Sequence, residues 1–383
     1  MIITEIDRAE LVELARCLIR FETVNPPADD RGIAQYLGDY LERMGLRVRV
    51  DNIGENRRNV VGVWKGKADH PTLLLNGHLD VVPPGEGWTV DPFEGVIKDG
   101  RLYGRGAVDM KAGIASMVSA LQAMLQSGYE PRGTIILAAV ADEEVDQTGT
   151  RYLGEIGLKA DYALVAEPTS LKPMIAHKGR MILEVSTLGK TAHAAMPEQG
   201  VNAIDKMARV LEATQKEGAA LQKRTHPILG KPTLTVTTIQ GGSAINSVPD
   251  RCQLTLDRRY LPDEKPEEIM EGLQRQLAAL SAHDEAIQWE LKLLKHAPPL
   301  ASSIDNPLVS VLRKAVIEVC GEDPGVGGLL ATTDAGVLWA ELGIPTVVCG
   351  PGDLYQAHKP DENISLDELV QAARVYARVI GEF

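Results

Sequence analysis

Hydrophobic positions recur with two different periods along this chain, and the change of period divides it. Near the start, Leu11, Leu14, Ala15 and Leu18 fall at helical spacing behind Asp7 and Glu10, which read as a capping box. A second helix is predicted from about Gly32 to Gly45, then strands over roughly 46–51, 59–65 and 72–77. The third of these, TLLLNGHLD, is apolar enough for a strand buried on both faces. A Pro- and Gly-rich loop spans Val82 to Trp88, and a second loop runs to Asp109. Lys111 to Gln126 reads as a helix with Ile114, Val118, Leu121 and Leu125 inward and Gly128 as its cap. TIILAAV (134–140) and ALVA (163–166) are further buried strands with a short helix between them. Strands alternating with helices predict an α/β layered domain.

From Met181 the pattern changes. MILEVSTLG, a helix around Asn202 to Thr214, TLTVTTIQ, CQLTLDRRYL, a helix around Pro266 to Leu280, and IQWELKLL follow in order. That is β-α-β-β-α-β, the ferredoxin-like pattern, and its strands alternate as in a sheet with one wet face. After HAPPL the α/β pattern resumes, with helices over about 307–319 and 334–342 and a strand IPTVVCG. The last helix begins at Ser365, capped with Glu368, and carries Leu369, Ala373, Tyr376 and Ile380. The expectation is one α/β domain built from 1–177 and 296–383, with 178–295 inserted as a ferredoxin-like α+β domain.

Composition narrows the partners. Among 383 residues, 40 Lys and Arg stand against 53 Asp and Glu, a net charge of −13 with no basic run. Such a chain repels phosphate, which excludes nucleic acid and anionic membranes as partners. Cys17, Cys252, Cys320 and Cys349 lie far apart, so neither a zinc ribbon nor a redox dithiol is written here. Isolated thiols suit a reducing compartment. The segment MIITEIDRAE lacks a signal pattern, and the apolar runs fall short of the ~18 residues of a membrane span. A soluble cytoplasmic protein is expected.

Carboxylates and histidines gather at predicted strand ends. His78 closes a buried strand, and Asp80, two residues on, points the same way. An aspartate there can fix the tautomer of a metal-bound imidazole, although a lone His-x-Asp more often just bonds a loop. Asp109, in YGRGAVDMKAG, precedes a helix and reads equally as an N-cap. Gly104-Arg105-Gly106 lacks the third glycine of a dinucleotide loop. Asp142, Glu143 and Glu144 follow a strand directly. Three adjacent carboxylates form a solvated acidic turn, or repel until cations absorb them. Glu167, in VAEPT, and His358, in GPGDLYQAHKPDE, also follow strands. Strand termini are where open α/β sheets collect ligands. Together these residues are the inventory for a pair of divalent ions with mixed nitrogen and oxygen ligands, with one glutamate free to act as base.

These segments resemble the co-catalytic zinc metallopeptidase and deacylase family, which contains acetylornithine deacetylase, succinyl-diaminopimelate desuccinylase, aminoacylase and glutamate carboxypeptidase. NGHLDVVP, DGRLYGRGAVDMKAG, ADEE, VAEPT, GKTAHAAMP, DRRYLP and AHKPDE occur in the family's order over essentially the whole chain. The resemblance implies a zinc-exopeptidase-like catalytic domain whose inserted domain is a lid and dimerisation domain. It implies that Asp109 bridges two divalent ions, zinc foremost with cobalt or manganese as alternatives. His78 and Glu167 would complete one ion, and Glu144 and His358 the other. Glu143 would be the general base, with Asp80 orienting His78. A cis peptide is implied between Asp109 and Met110. His193 would belong to the lid and reach the active site of the other subunit of a homodimer. Asn246 and Arg258 would touch substrate, although their bland readings are a turn residue and a surface strand arginine. His177 reads as structural, at the entry to the lid, and His70, His226, His283 and His296 carry no motif.

Glu167 matches the deacylases, where many true peptidases have Asp. EPTSLKPMIAHKG, QGVNAID and GPGDLYQAHKPDE resemble acetylornithine deacetylase most. At Thr333-Asp334-Ala335 that enzyme has Thr-Glu-Ala and the desuccinylase has Thr-Ser-Asp-Gly, so Thr333 and its neighbours, near the substrate side chain, are intermediate. The implied activity is hydrolysis of an N-acyl amino acid. The alternatives are a dipeptidase or carboxypeptidase on the same scaffold, or an amino-acid-binding relative without catalysis.

Overall fold

The computed structural model describes residues 5–383. Asp7 caps the first helix, Arg8–Ile19, accepting from the backbone N–H groups of Ala9 and Glu10 at 2.9 and 3.0 Å. Glu10 does not complete a capping box. Its carboxylate accepts instead from Tyr40 Oη at 2.9 Å and Gln122 Nε2 at 2.7 Å, tying this helix to its neighbours. The last helix, Leu366–Ile380, shows the same division: Ser365 caps it, while Glu368 accepts from the N–H of Gly352 at 2.9 Å.

Apolar runs without alternation make strands covered on both faces, and the central sheet is built from them. Its order is Arg47–Asn52, Arg58–Lys65, Thr134–Val140, Thr72–His78, Tyr162–Pro168, Thr346–Gly350, Met174–His177 and Leu300–Ala301, with Gly327–Leu329 pairing to Met174–His177. Thr72–His78 runs parallel to Thr134–Val140, with His78 opposite Val140, and parallel to Tyr162–Pro168. Thr346–Gly350 is parallel to Tyr162–Pro168 as well. The C-terminal ends of four adjacent strands therefore emerge along one edge.

Helix Lys111–Gln126 lies in the core rather than on its surface, with Lys111 to Leu121 buried without interruption. Its neighbours are the helices Arg8–Ile19 and Leu366–Ile380. Leu121, Val118 and Ile114 are fully buried, each stabilising by ~1.5–3 kcal/mol. Gly113 lets the helix approach the sheet closely: a Cβ there would stand 2.5 Å from the carbonyl oxygen of Ala166. A small antiparallel sheet of Asn363–Ser365, Arg101–Tyr103 and Val96–Lys98 ties the segment before Asp109 to the segment after His358.

The described chain divides into two compact units. One holds the residues up to Ala176, Leu300–Leu329 and Thr333–Phe383, and the other His177–Pro299 with Leu330–Thr332. The three-residue return was not foreseen. It is held by Thr332, whose hydroxyl donates to the carbonyl of Lys178 at 3.1 Å and lies 3.3 Å from Arg259 Nη1. The second unit has an antiparallel sheet in the order Thr233–Gly241, Arg251–Tyr260, Gly179–Leu188, Gln288–Ala297. Its core joins alternate strand residues (Met181, Leu183, Val185, Leu254, Leu256) to helix residues Met207, Val210, Leu273 and Leu277.

Candidate metal centre

Each predicted ligand sits at the end of an element whose burial leaves the side chain few alternatives. His78 ends a fully buried strand, and Glu167 lies near the end of the adjacent parallel strand. Glu143 and Glu144 follow Thr134–Val140 after a turn in which Asp142 adopts φ 71°. Asp109 precedes helix Lys111–Gln126, but Met110 occupies the cap position, so the Asp109 carboxylate is not consumed as an N-cap. The Asp109–Met110 peptide is cis, as the family resemblance implies. His358 follows the one-turn helix Leu354–Gln356 with φ 62°.

These side chains converge on Asp109. His78 Nε2 lies 3.0 Å from Asp109 Oδ1 and 3.4 Å from Glu167 Oε1. His358 Nε2 lies 3.2 Å from Asp109 Oδ2 and 3.3 Å from Glu144 Oε1. Each oxygen of Asp109 thus faces a different histidine–glutamate pair. Glu143 groups with His78 and Glu167, their ligand atoms all within 4.8 Å of one another. Donors around a tetrahedral zinc at ~2.0–2.1 Å sit about 3.3 Å apart, which is the spacing found here. Glu144 Oε1 is buried, and its ion-pair contact with His358 lacks hydrogen-bond geometry. The donor chemistry and spacing fit a pair of divalent cations.

The electrostatics say the same. Burial pushes the Glu143 and Glu144 carboxyls up, and Glu167 up to about 8. Burial would also raise Asp109, but His358 and His78 hold it well below the usual carboxylate range. Burial opposes charge on His78, yet Asp109 and Glu167 raise it well above 6.5. Asp109 and Glu144 lift the half-exposed His358 to about 10. Many buried anions with few fixed cations make a site that favours added positive charge.

Asp80, expected to orient His78, meets that ring with both its main chain and its side chain. His78 Nδ1 lies 2.9 Å from the backbone carbonyl of Asp80 but 3.7 Å from its carboxylate. The shorter contact is to the main chain. The Asp80 carboxylate accepts from the backbone N–H groups of Glu143 and Glu144 at 3.1 and 3.2 Å. Asp142 does not join the ligand set either, since its carboxylate pairs with Arg57 at 2.8 Å.

The remaining site residues divide. Thr333 caps helix Asp334–Ala340, accepting from Ala335 N at 3.2 Å, and is buried. In the second unit His193 and Asn246 come together: the N–H of Ala194 donates to the carbonyl of Asn246 at 3.0 Å, and His193 bridges to Ser247. His193 Nδ1 accepts from Ala195 N at 3.0 Å, which places the proton of a neutral ring on Nε2. Arg258 is a correction. Its side chain is 4% exposed and ion-paired with Glu264, because strand alternation turns residue 258 into the core of its own unit. Arg259 takes the opposite parity, held by Asp257 at 2.7 Å with 29% of its side chain exposed. Counting parity along CQLTLDRRYL from its buried leucines would have separated the two arginines.

Sequence reading also missed Glu362, in AHKPDE. Its buried carboxylate accepts from Arg105 Nη1 at 2.5 Å and from the backbone N–H groups of Gly106, Val108 and Asp109 at 3.2, 2.6 and 3.0 Å. The segment that presents Asp109 is thereby fixed from the loop that presents His358.

Residues 74–382 match the family described as Peptidase family M20/M25/M40. An acetylornithine deacetylase from Edwardsiella ictaluri is 34% identical, over 91% of this chain and 89% of its own length. The N-formyl-4-amino-5-aminomethyl-2-methylpyrimidine deformylase of Bacillus subtilis is 29% identical, over 98% and 94%. The solved structure of an M20 family metallo-carboxypeptidase from Sulfolobus solfataricus superposes with a TM-score of 0.83 at 20% identity, covering 97% of this chain and 98% of that one. The chain belongs to the M20/M25/M40 peptidase family and is a metal-dependent amidohydrolase.

Proposed function

We propose that this chain is a two-metal, zinc-type hydrolase that cleaves the amide bond of N-acyl amino acids. The carrying observation is Asp109, one carboxylate oxygen of which faces His78, itself 3.4 Å from Glu167, while the other faces His358, itself 3.3 Å from Glu144. The relatives support the amide: one is named for removing acetyl and another for removing formyl from nitrogen. His78, Glu167, Asp109, Glu144 and His358 would hold the ions, which supply an acidified water and charge neutralisation at the carbonyl oxygen. Glu143 takes a proton from the attacking water and returns it to the departing nitrogen, giving a free carboxylate and an amine. The Nε2–H of His193 donates to the carbonyl oxygen as charge develops there, worth ~2.7–4 kcal/mol. In this reading the second unit is the lid and dimerisation domain, the homodimer is cytoplasmic, and His193 serves the other subunit's site. Asn246 lines the substrate's path beside His193, and Arg259, not Arg258, is the arginine available to a substrate carboxylate.

The test is a panel of N-formyl, N-acetyl and N-succinyl amino acids and dipeptides on zinc-loaded protein, with Glu143→Gln beside it. The N-acyl amino acids should be turned over and the dipeptides should not. Glu143→Gln should retain both ions while losing about 10²–10⁴-fold in kcat. Loss of metal from that variant would exchange the roles of Glu143 and Glu144.

A further inference from the structure

Two neighbouring glutamates with different tasks need a turn that keeps each carboxylate on its own side. Of the residues that hold this turn, Asp80 and Asp142 belong to the motifs NGHLDVVP and ADEE, and the residue that joins them lies outside every motif. Asp80 accepts from both of its amides, Glu143 N and Glu144 N. Asp142 closes it from the other end: its carbonyl accepts from Gln147 N at 2.6 Å and its Oδ2 from Thr148 Oγ1 at 2.6 Å. Asp80 and Asp142 are both fully buried carboxylates, and something must keep two anions side by side.

Asn25 does so. Its Nδ2 donates to Asp80 Oδ2 at 2.8 Å and to Asp142 Oδ1 at 2.9 Å. Its Oδ1 accepts from Arg57 Nη2 at 3.3 Å, and the same guanidinium pairs with Asp142. The amide orientation is fixed by chemistry, since the reverse would aim its oxygen at two carboxylates and its hydrogens at a guanidinium. The position is fixed by the backbone: Asn25 N donates to Val81 O at 2.9 Å, and the Thr23 hydroxyl donates to Leu79 O at 2.6 Å. Asn25 is 2% exposed, so water does not substitute for it. Two donor hydrogens toward two carboxylates and one acceptor toward arginine, on so short a side chain, are what asparagine supplies and aspartate or leucine does not.

We infer that Asn25 is a positioning residue of the reaction: by joining Asp80 to Asp142 it holds the Glu143–Glu144 turn, and so sets the base and a metal-holding carboxylate against each other. The inference rests on the roles proposed above for those two glutamates. Removing a partner that bonds a ligand directly commonly costs 10–100-fold in metal affinity; Asn25 acts one residue further out, through Asp80 and Asp142, so the low end of that range, about tenfold, is expected.

The experiment is zinc titration into metal-free wild type, Asn25→Leu and Asn25→Asp by chelator competition, with kcat, KM and melting temperature measured on the same preparations. In both variants one of two zinc equivalents should bind about tenfold or more weakly. At saturating zinc, kcat should fall at least about tenfold while KM stays within about twofold. Asn25→Ser keeps one donor, one bond shorter, and adds neither charge nor bulk, so it should fold and its losses should be intermediate. A merely structural asparagine would lower the melting temperature and leave zinc affinity and kcat of the folded protein unchanged. That result in Asn25→Ser alone, should the other two not fold, overturns the inference. If wild type binds two zinc ions but cleaves no N-acyl amino acid, the proposed substrate fails, while the zinc-affinity arm still decides on Asn25.

Discussion

Asp109 and the two imidazoles it faces form a site that competes with protons. Before an ion enters, Asp109 and Glu144 push His358 up to about 10, and Asp109 and Glu167 push His78 up against its burial, so both rings hold a proton more tightly than a free imidazole. An ion binds only the neutral ring nitrogen and must displace that proton. Zinc affinity should therefore rise with pH and fall as pH drops, with net proton release on binding. Calorimetric titration of metal-free protein at one pH, in two buffers of different ionisation enthalpy, measures it. Heats independent of buffer would show that the rings were already neutral. Elsewhere position decides where identity does not. Arg258 and Arg259 are adjacent and chemically identical, yet one lies in a buried ion pair and the other on the opposite face of the strand.

At the scale of elements, strand ends need their loops held. Glu362 joins the His358 loop to the Asp109 segment through one guanidinium and three amides, all within its own unit. Glu362→Ala would strand a buried Arg105 without its partner, a loss of ~3–5 kcal/mol. Glu362→Gln keeps one carbonyl acceptor and should lose less. Urea unfolding of the metal-free proteins gives both values, and a Glu362→Ala midpoint equal to wild type would remove Glu362 from this role. Glycine contributes differently: Gly113 brings helix Lys111–Gln126 close to the strand that carries Glu167.

At the scale of the whole molecule, the proposed dimer has a direct test. Glu143→Ala and His193→Ala homodimers should each be nearly inactive. If His193 serves the neighbouring subunit, a mixed dimer contains one site with both residues intact. Random re-pairing makes half the dimers mixed, so activity should recover to about a quarter of wild type. No recovery after confirmed subunit exchange would confine His193 to its own chain's site or remove it from catalysis. Among the described residues no helix is long and apolar enough to cross a membrane.

What the sequence by itself determined is what period and strand ends encode. The apolar runs at 72–78 and 134–140, one ending on His78 and the other leading through Ala141 and Asp142 to paired Glu, announced buried parallel strands with polar chemistry at their ends. The alternation within CQLTLDRRYL marked a sheet with one buried face. These signals are local, because side-chain period follows from backbone geometry over a few residues. Only tertiary structure decided which groups answer one another across the chain. Asp80 bonds the Glu143–Glu144 turn as well as facing the His78 ring, and Asn25 holds Asp80 across a sequence separation of 55. Glu10 and Glu368 bond other segments instead of capping their own helices. A carboxylate reads the same in sequence whether it meets an amide, a guanidinium or an ion. Its partner is set by which segments the fold brings within about 3 Å, and no local pattern carries that distance.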